Sequence, residues 1–249
     1  MRSRLSLLAL SLLVCLPAMA AAQTPPPAPP PGPPPPHEGS AEFAFIGTSG
    51  NSSTQTIGAG GEFIYRPNPW ETKVKLNYVR NEADDEVTAQ SLLLLLRAQR
   101  PIRPRLAGYG QYGYQRDRFA GIINRNAFET GLMYTLVDQT MQKLTVDGGL
   151  GYAHESRVTG PDLSTSILGT GASYLLKIND TTEVTEDGHL VYSLSDGSDW
   201  RYANIAALSV KMTTLLSLKL SNTVRYVHAP AEGFKNTDVL TSIAVVAKF

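Results

Sequence analysis

Apolar and polar residues alternate with a period of two along several stretches of roughly ten residues. Residues 70–78 and 144–152 show the pattern, and residues 216–226 show it most clearly. There, one set contains three leucines with Val224 and Tyr226, and the other contains serine, lysine, threonine and arginine. Successive side chains of a β-strand point to opposite faces, whereas a helix would spread each set around its circumference. The alternation therefore predicts strands with one apolar and one polar face.

Twelve such segments, separated by turn-rich stretches, follow one another from residue 40 to residue 249. No stretch after residue 22 has the roughly 18 consecutive apolar residues of a transmembrane helix. The pattern predicts an all-β fold: a transmembrane, antiparallel, up-and-down β-barrel with an even number of strands and with the N- and C-termini periplasmic. The predicted strands are 40–47, 53–66, 70–81, 87–99, 105–118, 124–136, 142–156, 164–178, 181–195, 199–212, 216–228 and 235–249.

The prolines provide a test of this strand map. Six prolines follow residue 36, and all six fall between predicted strands. A closed barrel has no edge strand, so a proline inside a strand would leave a backbone acceptor unpaired in lipid. The proline positions therefore favour the barrel.

Aromatic residues of the apolar set collect at two levels, near the periplasmic and near the outer ends of the strands. Amphipathic rings favour both interfaces of a membrane, so two belts indicate a barrel that faces lipid. A soluble two-sheet sandwich, the alternative, also alternates but need not sort its aromatics to strand ends. The periplasmic group is Tyr65, Trp70, Tyr134, Tyr174 and Phe249; the outer group is Phe45, Tyr78, Tyr114, Phe128, Tyr152, Tyr192, Tyr202 and Tyr226.

The chain begins with a segment typical of export. Two arginines, a short apolar run and small residues predict a signal peptide over residues 1–22, cleaved on export to the cell outer membrane. A lipoprotein signal is the alternative, because Cys15 follows an apolar triplet, although Val14 is larger than a lipobox normally allows. Residues 23–39 are proline-rich and predict a stiff periplasmic tether or a docking strip for a partner. Residues 40–249 form the predicted barrel.

The composition after the signal excludes several classes of site. Cys15 is the only cysteine, so the mature chain has no disulfide and no cysteine-based zinc site. With Arg2 and Arg4 removed, 20 basic residues oppose 22 acidic ones, and a net charge of −2 predicts no nucleic-acid partner. The scattered histidines lack metal-ligand spacing, and no helix follows the glycine-rich segments 58–61 and 169–171 to receive a phosphate. We expect no metal and no cofactor.

Three segments carry a resemblance to a known family. Residues 50–55, residues 114–121 and, most specifically, the end of the chain from Ala207 to Phe249 resemble the salt-induced outer-membrane protein family. The likeness extends over about residues 41–249, although the leucine run 92–96 is more apolar than this family leads us to expect. The resemblance implies a fold and a location but no reaction.

The polar set of the strands is expected to line the lumen, and it contains charges of both signs. These side chains form either a polar conduit or ligand site, or an interior of paired charges that stabilises the barrel. Glu186 falls on the outward set, which indicates either a β-bulge in strand 9 or a position near the membrane interface. The candidate lumen-lining residues are Glu71, Lys73, Lys75, Arg97, Asp117, Glu129, Asp147, Lys177, Asp187, His189, Lys211, Lys219 and Arg225.

These observations predict a narrow, weakly selective channel for small solutes or ions, whose loops are too short to form a large plug. A structural or adhesive barrel with a filled lumen is the alternative, and an outer-membrane hydrolase using His154 with Ser156, or His228, is a weaker one. No hydrolase motif surrounds these residues, so we expect no catalytic residue and no enzyme. Phe249, the terminal aromatic, is the candidate assembly signal. The expected partners are outer-membrane lipids, the barrel-assembly machinery and periplasmic chaperones, with no prediction of oligomeric state.

Overall fold

The computed structural model describes residues 34–48, 54–197 and 199–249, so the predicted signal peptide and most of the predicted tether lie outside it. The described residues form twelve strands in one closed antiparallel barrel, and each strand pairs with its neighbours in sequence. No helix among them is long and apolar enough to cross a membrane. The strands are β1 (His37–Thr48), β2 (Thr54–Tyr65), β3 (Glu71–Ala83), β4 (Glu86–Arg103), β5 (Leu106–Asp117), β6 (Ile122–Asp138), β7 (Gln142–Arg157), β8 (Leu163–Lys177), β9 (Thr182–Ser193), β10 (Trp200–Lys211), β11 (Leu216–Val227) and β12 (Thr237–Lys248).

The barrel closes where β1 pairs with β12. Ala41 lies opposite Ala247 and Phe43 opposite Val245. Beyond them, Gly39 and Phe249 exchange backbone hydrogen bonds of 2.8 and 2.9 Å. The ring of Phe249 covers Gly39 so closely that a Cβ there would lie 2.5 Å from it, which explains why a glycine stands at this position. Closure removes the two unpaired edges that an open sheet would expose.

The predicted number of strands and the closed barrel are confirmed, and the sandwich interpretation is wrong. Two details of the strand map need correction. β1 begins at His37, so residues 37–39, predicted as the end of the tether, belong to the barrel. Pro101 lies inside β4 rather than between strands, next to a register shift at the end of the β4–β5 ladder. A proline is tolerated there because the irregular pairing does not need its missing N–H.

The two faces of the sheet differ as the alternation predicts. Large apolar side chains point outward and are exposed, among them Leu150 at 59% and Val239 at 63%. Glu186 also points outward, and the registers of β9 with both of its neighbours are unbroken, so the bulge interpretation is wrong. Its carboxylate instead accepts a 3.4 Å hydrogen bond from the Asn204 amide on β10.

The two ends of the barrel also differ. We call the end that carries Gly39 and Phe249 the terminal end; its links, such as 66–70 and 212–215, are short. The opposite end, called the far end, carries a turn of 3-10 helix (Arg118–Ala120) after β5 and the nine-residue loop 228–236 between β11 and β12.

Candidate functional site in the barrel lumen

All thirteen candidate lumen-lining residues lie on one face of the sheet, as the strand registers show. On this face, side chains of strands that are not neighbours contact one another. Arg97 of β4 reaches Asp147 of β7, for example, with 3.1 Å between Nη2 and Oδ2. Only the inside of a closed barrel brings separated strands together, so this face is the lumen.

A buried carboxylate, Glu155 of β7, organises the far end of the lumen. Its side chain is only 3% exposed. Arg201 of β10 donates to both of its oxygens, at 2.5 and 3.1 Å. Arg157 donates to it at 2.8 Å, and Arg125 of β6 at 3.5 Å. Three guanidinium groups share this one carboxylate, so removing Glu155 would leave buried positive charges without their common partner. We call these four residues the Glu155 cluster.

A second contact at the far end spans the lumen. Arg225 of β11 lies 3.8 Å from Asp117 of β5, six strands away in either direction around the barrel. Its Nη1 also donates to Ser91 of β4 at 3.4 Å. A regular twelve-strand barrel has a backbone diameter of about 24 Å, more than these side chains reach, so the lumen is narrowed at this level. Asp117 also accepts a 3.1 Å hydrogen bond from the Ala120 N–H, which ties the turn that follows β5.

The loop 228–236 extends this narrowing beyond the strands. The Thr159 hydroxyl, in the loop after β7, donates to the Glu232 carbonyl at 2.7 Å. Gly121 (φ +82°) has no room for a side chain, since a Cβ would lie 2.8 Å from Ala231 and 2.9 Å from the Phe234 ring. The sequence predicted loops too short for a large plug, yet this loop reaches the opposite wall.

A third group of polar side chains lies between the two ends. Tyr109 donates to the Glu129 carboxylate, and the Arg97 guanidinium lies 4.0 Å from the centre of the Tyr109 ring. His189 of β9 places its Nε2 3.6 Å from Glu129 Oε2. Arg97, Glu129, Asp147 and His189, which the sequence predicted separately, therefore form one cluster with Tyr109.

The terminal half of the lumen is more open. Lys219 contacts Glu42 at 2.7 Å, and Lys73 lies 3.7 Å from Glu62, each side chain being about a quarter to a third exposed. At the rim, Arg66 donates to Glu38 at 2.5 Å and to Glu71 at 2.8 Å. Of the remaining predicted residues, Lys75 is half-buried and lies opposite Glu62 in the β2–β3 register. Lys177 and Lys211 are exposed at terminal strand ends, and Asp187 accepts a hydrogen bond from Ser173.

A cavity of about 240 Å³ connects the far and middle groups. Its lining includes Asp117, Arg201 and Arg225 of the far end and Glu129 and His189 of the middle group. The lumen is therefore neither packed solid nor open along its whole length.

The sequence analysis missed Tyr109, Arg125, Glu155, Arg157 and Arg201. Each shares the inward set of its strand with a residue that was identified, so the alternation could have found all five. The alternation could not show which of these residues contact one another, because those contacts join residues up to 46 positions apart in the sequence.

The candidate hydrolase residues do not form a catalytic arrangement. His154 points outward and contacts the Ser164 hydroxyl at 2.8 Å, whereas Ser156 donates to Asp162. His228 stacks on Trp200, with 5.4 Å between ring centres. Within the part of the chain that the structure describes, neither histidine contacts the orienting acid that nucleophilic catalysis requires.

Comparison with known proteins identifies both a fold and a family. The NanC porin is similar at 8% identity, over 85% of this chain and 98% of its own, with a TM-score of 0.51. An outer-membrane channel from Pseudomonas putida F1 is similar at 8% identity, over 86% and 95%, with a TM-score of 0.50. No curated protein sequence matches, and the salt-induced designation stays a prediction. Residues 41–249 match the family described as protein of unknown function, DUF481, and the chain belongs to this family.

Proposed function

We propose that this protein is an integral outer-membrane β-barrel. Its outward face exposes many large apolar side chains, and a surface of that kind is unstable in water but suited to lipid. The predicted signal peptide and a fold shared with a porin support the same location. The protein is expected to fractionate with the outer membrane and to show heat-modifiable mobility in detergent gels. Mature protein found free in the periplasm would contradict the proposal.

Within that membrane, the barrel acts as a narrow channel for small solutes or ions. The observation that carries this is the lumen itself, where polar side chains and ion pairs, rather than a packed apolar core, surround a cavity of about 240 Å³. Ion pairs between partly hydrated groups separate at a lower cost than packed apolar side chains. Charges of both signs on the walls lead to weak selectivity, unlike a lumen of one sign. No residue is assigned a catalytic role.

Single-channel recording in planar bilayers tests the channel and locates its narrowest point. The wild-type protein should show small conductance, and Arg225→Ala should show a larger one because the contact across the lumen is lost. Arg80→Ala is the matched control, since Arg80 points outward and pairs with Glu82. It should leave conductance unchanged. Lys73→Glu with Lys75→Glu should shift selectivity toward cations.

A barrel with a closed, filled lumen is the second candidate, and the loop 228–236 favours it. If correctly folded wild-type and Arg225→Ala proteins both show no openings, with or without residues 23–36, a permanently open channel is excluded. Replacing residues 229–235 by a short glycine linker then separates two causes. Openings in that variant identify the loop as a gate, and continued silence leaves a structural barrel.

A further inference from the structure

Three side chains of the middle group converge in the lumen, and each offers one metal-ligand atom. The ligand atoms of Glu129, Asp147 and His189 all lie within 4.8 Å of one another. Asp147 Oδ1 and His189 Nε2 are buried atoms with no hydrogen-bond partner among the described residues. A buried polar atom without a partner carries a free-energy cost, so its presence in a folded protein calls for a ligand or another explanation.

The other oxygen of each carboxylate is already held. Asp147 Oδ2 accepts a 3.1 Å hydrogen bond from Arg97, and Glu129 Oε1 accepts one from Tyr109. Glu129 Oε2 is thereby left facing His189. Outer partners that orient one oxygen of a carboxylate and leave the other free are typical of metal sites.

Glycines make this convergence possible. Gly171 of β8 lies between Asp147 and His189 in the strand registers, so no side chain separates them. A Cβ on Gly169 would lie 2.2 Å from Glu129 Oε2, and one on Gly171 would lie 2.9 Å from Asp147 Oδ1. Glycine within a strand weakens the strand and often marks the close approach of another group. The two glycines of β8 therefore leave the space that the three side chains occupy.

We propose that Glu129, Asp147 and His189 bind a divalent transition-metal ion of the zinc type. Bonds of about 2.1 Å in a tetrahedral site place neighbouring donors about 3.4 Å apart. The 3.6 Å between Glu129 Oε2 and His189 Nε2 is close to that value. Two carboxylates balance the charge of the ion, and an imidazole nitrogen selects such ions over magnesium and calcium, which prefer oxygen ligands.

Three protein ligands leave a fourth position open toward the lumen. Glu129 and His189 line the cavity described above, so an ion reaches the site from the lumen and keeps one exchangeable ligand there. This inference does not depend on the channel, because the ligands and their access are the same whether or not the barrel conducts.

Zinc binding to the purified, folded barrel in detergent, with any affinity tag removed, tests the site. Titration calorimetry should detect one Zn²⁺ per chain, undisturbed by a tenfold excess of Mg²⁺. His189→Ala and Glu129→Gln should each lower the affinity for Zn²⁺ at least tenfold, in protein whose heat-modifiable mobility shows that it is folded. His154→Ala is the matched control, because this histidine points outward and contacts Ser164, and it should bind zinc as the wild type does.

Anomalous scattering from wild-type crystals soaked in zinc provides a second measurement that needs no variant. A peak between the three side chains supports the site. The proposal is overturned if wild-type protein binds no zinc, if the peak lies elsewhere, or if His154→Ala loses as much affinity as His189→Ala.

Discussion

Glu155 at the far end of the lumen is 3% exposed among three arginines, whereas Glu62 in the terminal half is 32% exposed and forms an ion pair with Lys73. Both carboxylates belong to the inward set of their strands, Glu155 on β7 and Glu62 on β2, and both are paired. Their surroundings differ, because the far end is narrowed by Arg225 and the loop 228–236 while the terminal half stays open to water. The comparison teaches that the contribution of an ion pair to the stability of this barrel depends on how far its surroundings exclude water. A buried pair contributes much, and a hydrated pair in the lumen contributes little.

The largest expected effect is at the Glu155 cluster. Glu155→Gln removes the carboxylate that Arg125, Arg157 and Arg201 share, and among the described residues only Asp199, 3.6 Å from Arg201, stays to offset them. The variant should lower the free energy of unfolding by roughly 3–5 kcal/mol, as loss of one member of a buried ion network does. Urea titration of the barrel refolded in lipid vesicles measures it. A loss below about 1 kcal/mol would show that water enters the far end, and the contrast between the two halves would disappear.

An intermediate effect tests the facing of the strands, on which this comparison rests. Leu218 points outward from β11 and Lys219 inward. Leu218→Arg should cost roughly 2–4 kcal/mol if it lies near the middle of the membrane, because the charge is placed in lipid. Lys219→Ser should cost under about 1 kcal/mol, since its partner Glu42 stays hydrated. Equal losses in the same urea titration would show that the two faces are not separated as described.

The smallest effect is expected in the terminal half. Glu62→Gln should change the free energy of unfolding by at most about 1 kcal/mol, because a solvated pair gains little and is screened by salt. Repeating the titration at high salt sharpens the contrast: the effect of Glu62→Gln should vanish, and that of Glu155→Gln should persist. If salt abolishes both effects, the Glu155 cluster is as hydrated as Glu62.

The sequence by itself determined the strands, their number and the face each residue occupies. Strand periodicity is a local property of two successive residues, so Leu218 and Lys219 reveal their opposite directions without any knowledge of the rest of the chain. The sequence map failed where the ladder is irregular, as at Pro101 beside a register shift. It placed Glu186 correctly on the outward face but left open whether a β-bulge lay there, and the unbroken register of β9 excludes the bulge.

Only the tertiary structure decided which inward residues meet. Glu129, Asp147 and His189 come from three strands, and Arg225 meets Asp117 from the opposite wall. Those meetings depend on the closure of the sheet, on the stagger of one strand against the next and on how far the cross-section is narrowed. Alternation contains none of these quantities. It specifies the face to which a residue points, but it does not specify the height along the barrel axis at which a residue from a distant strand lies next to it.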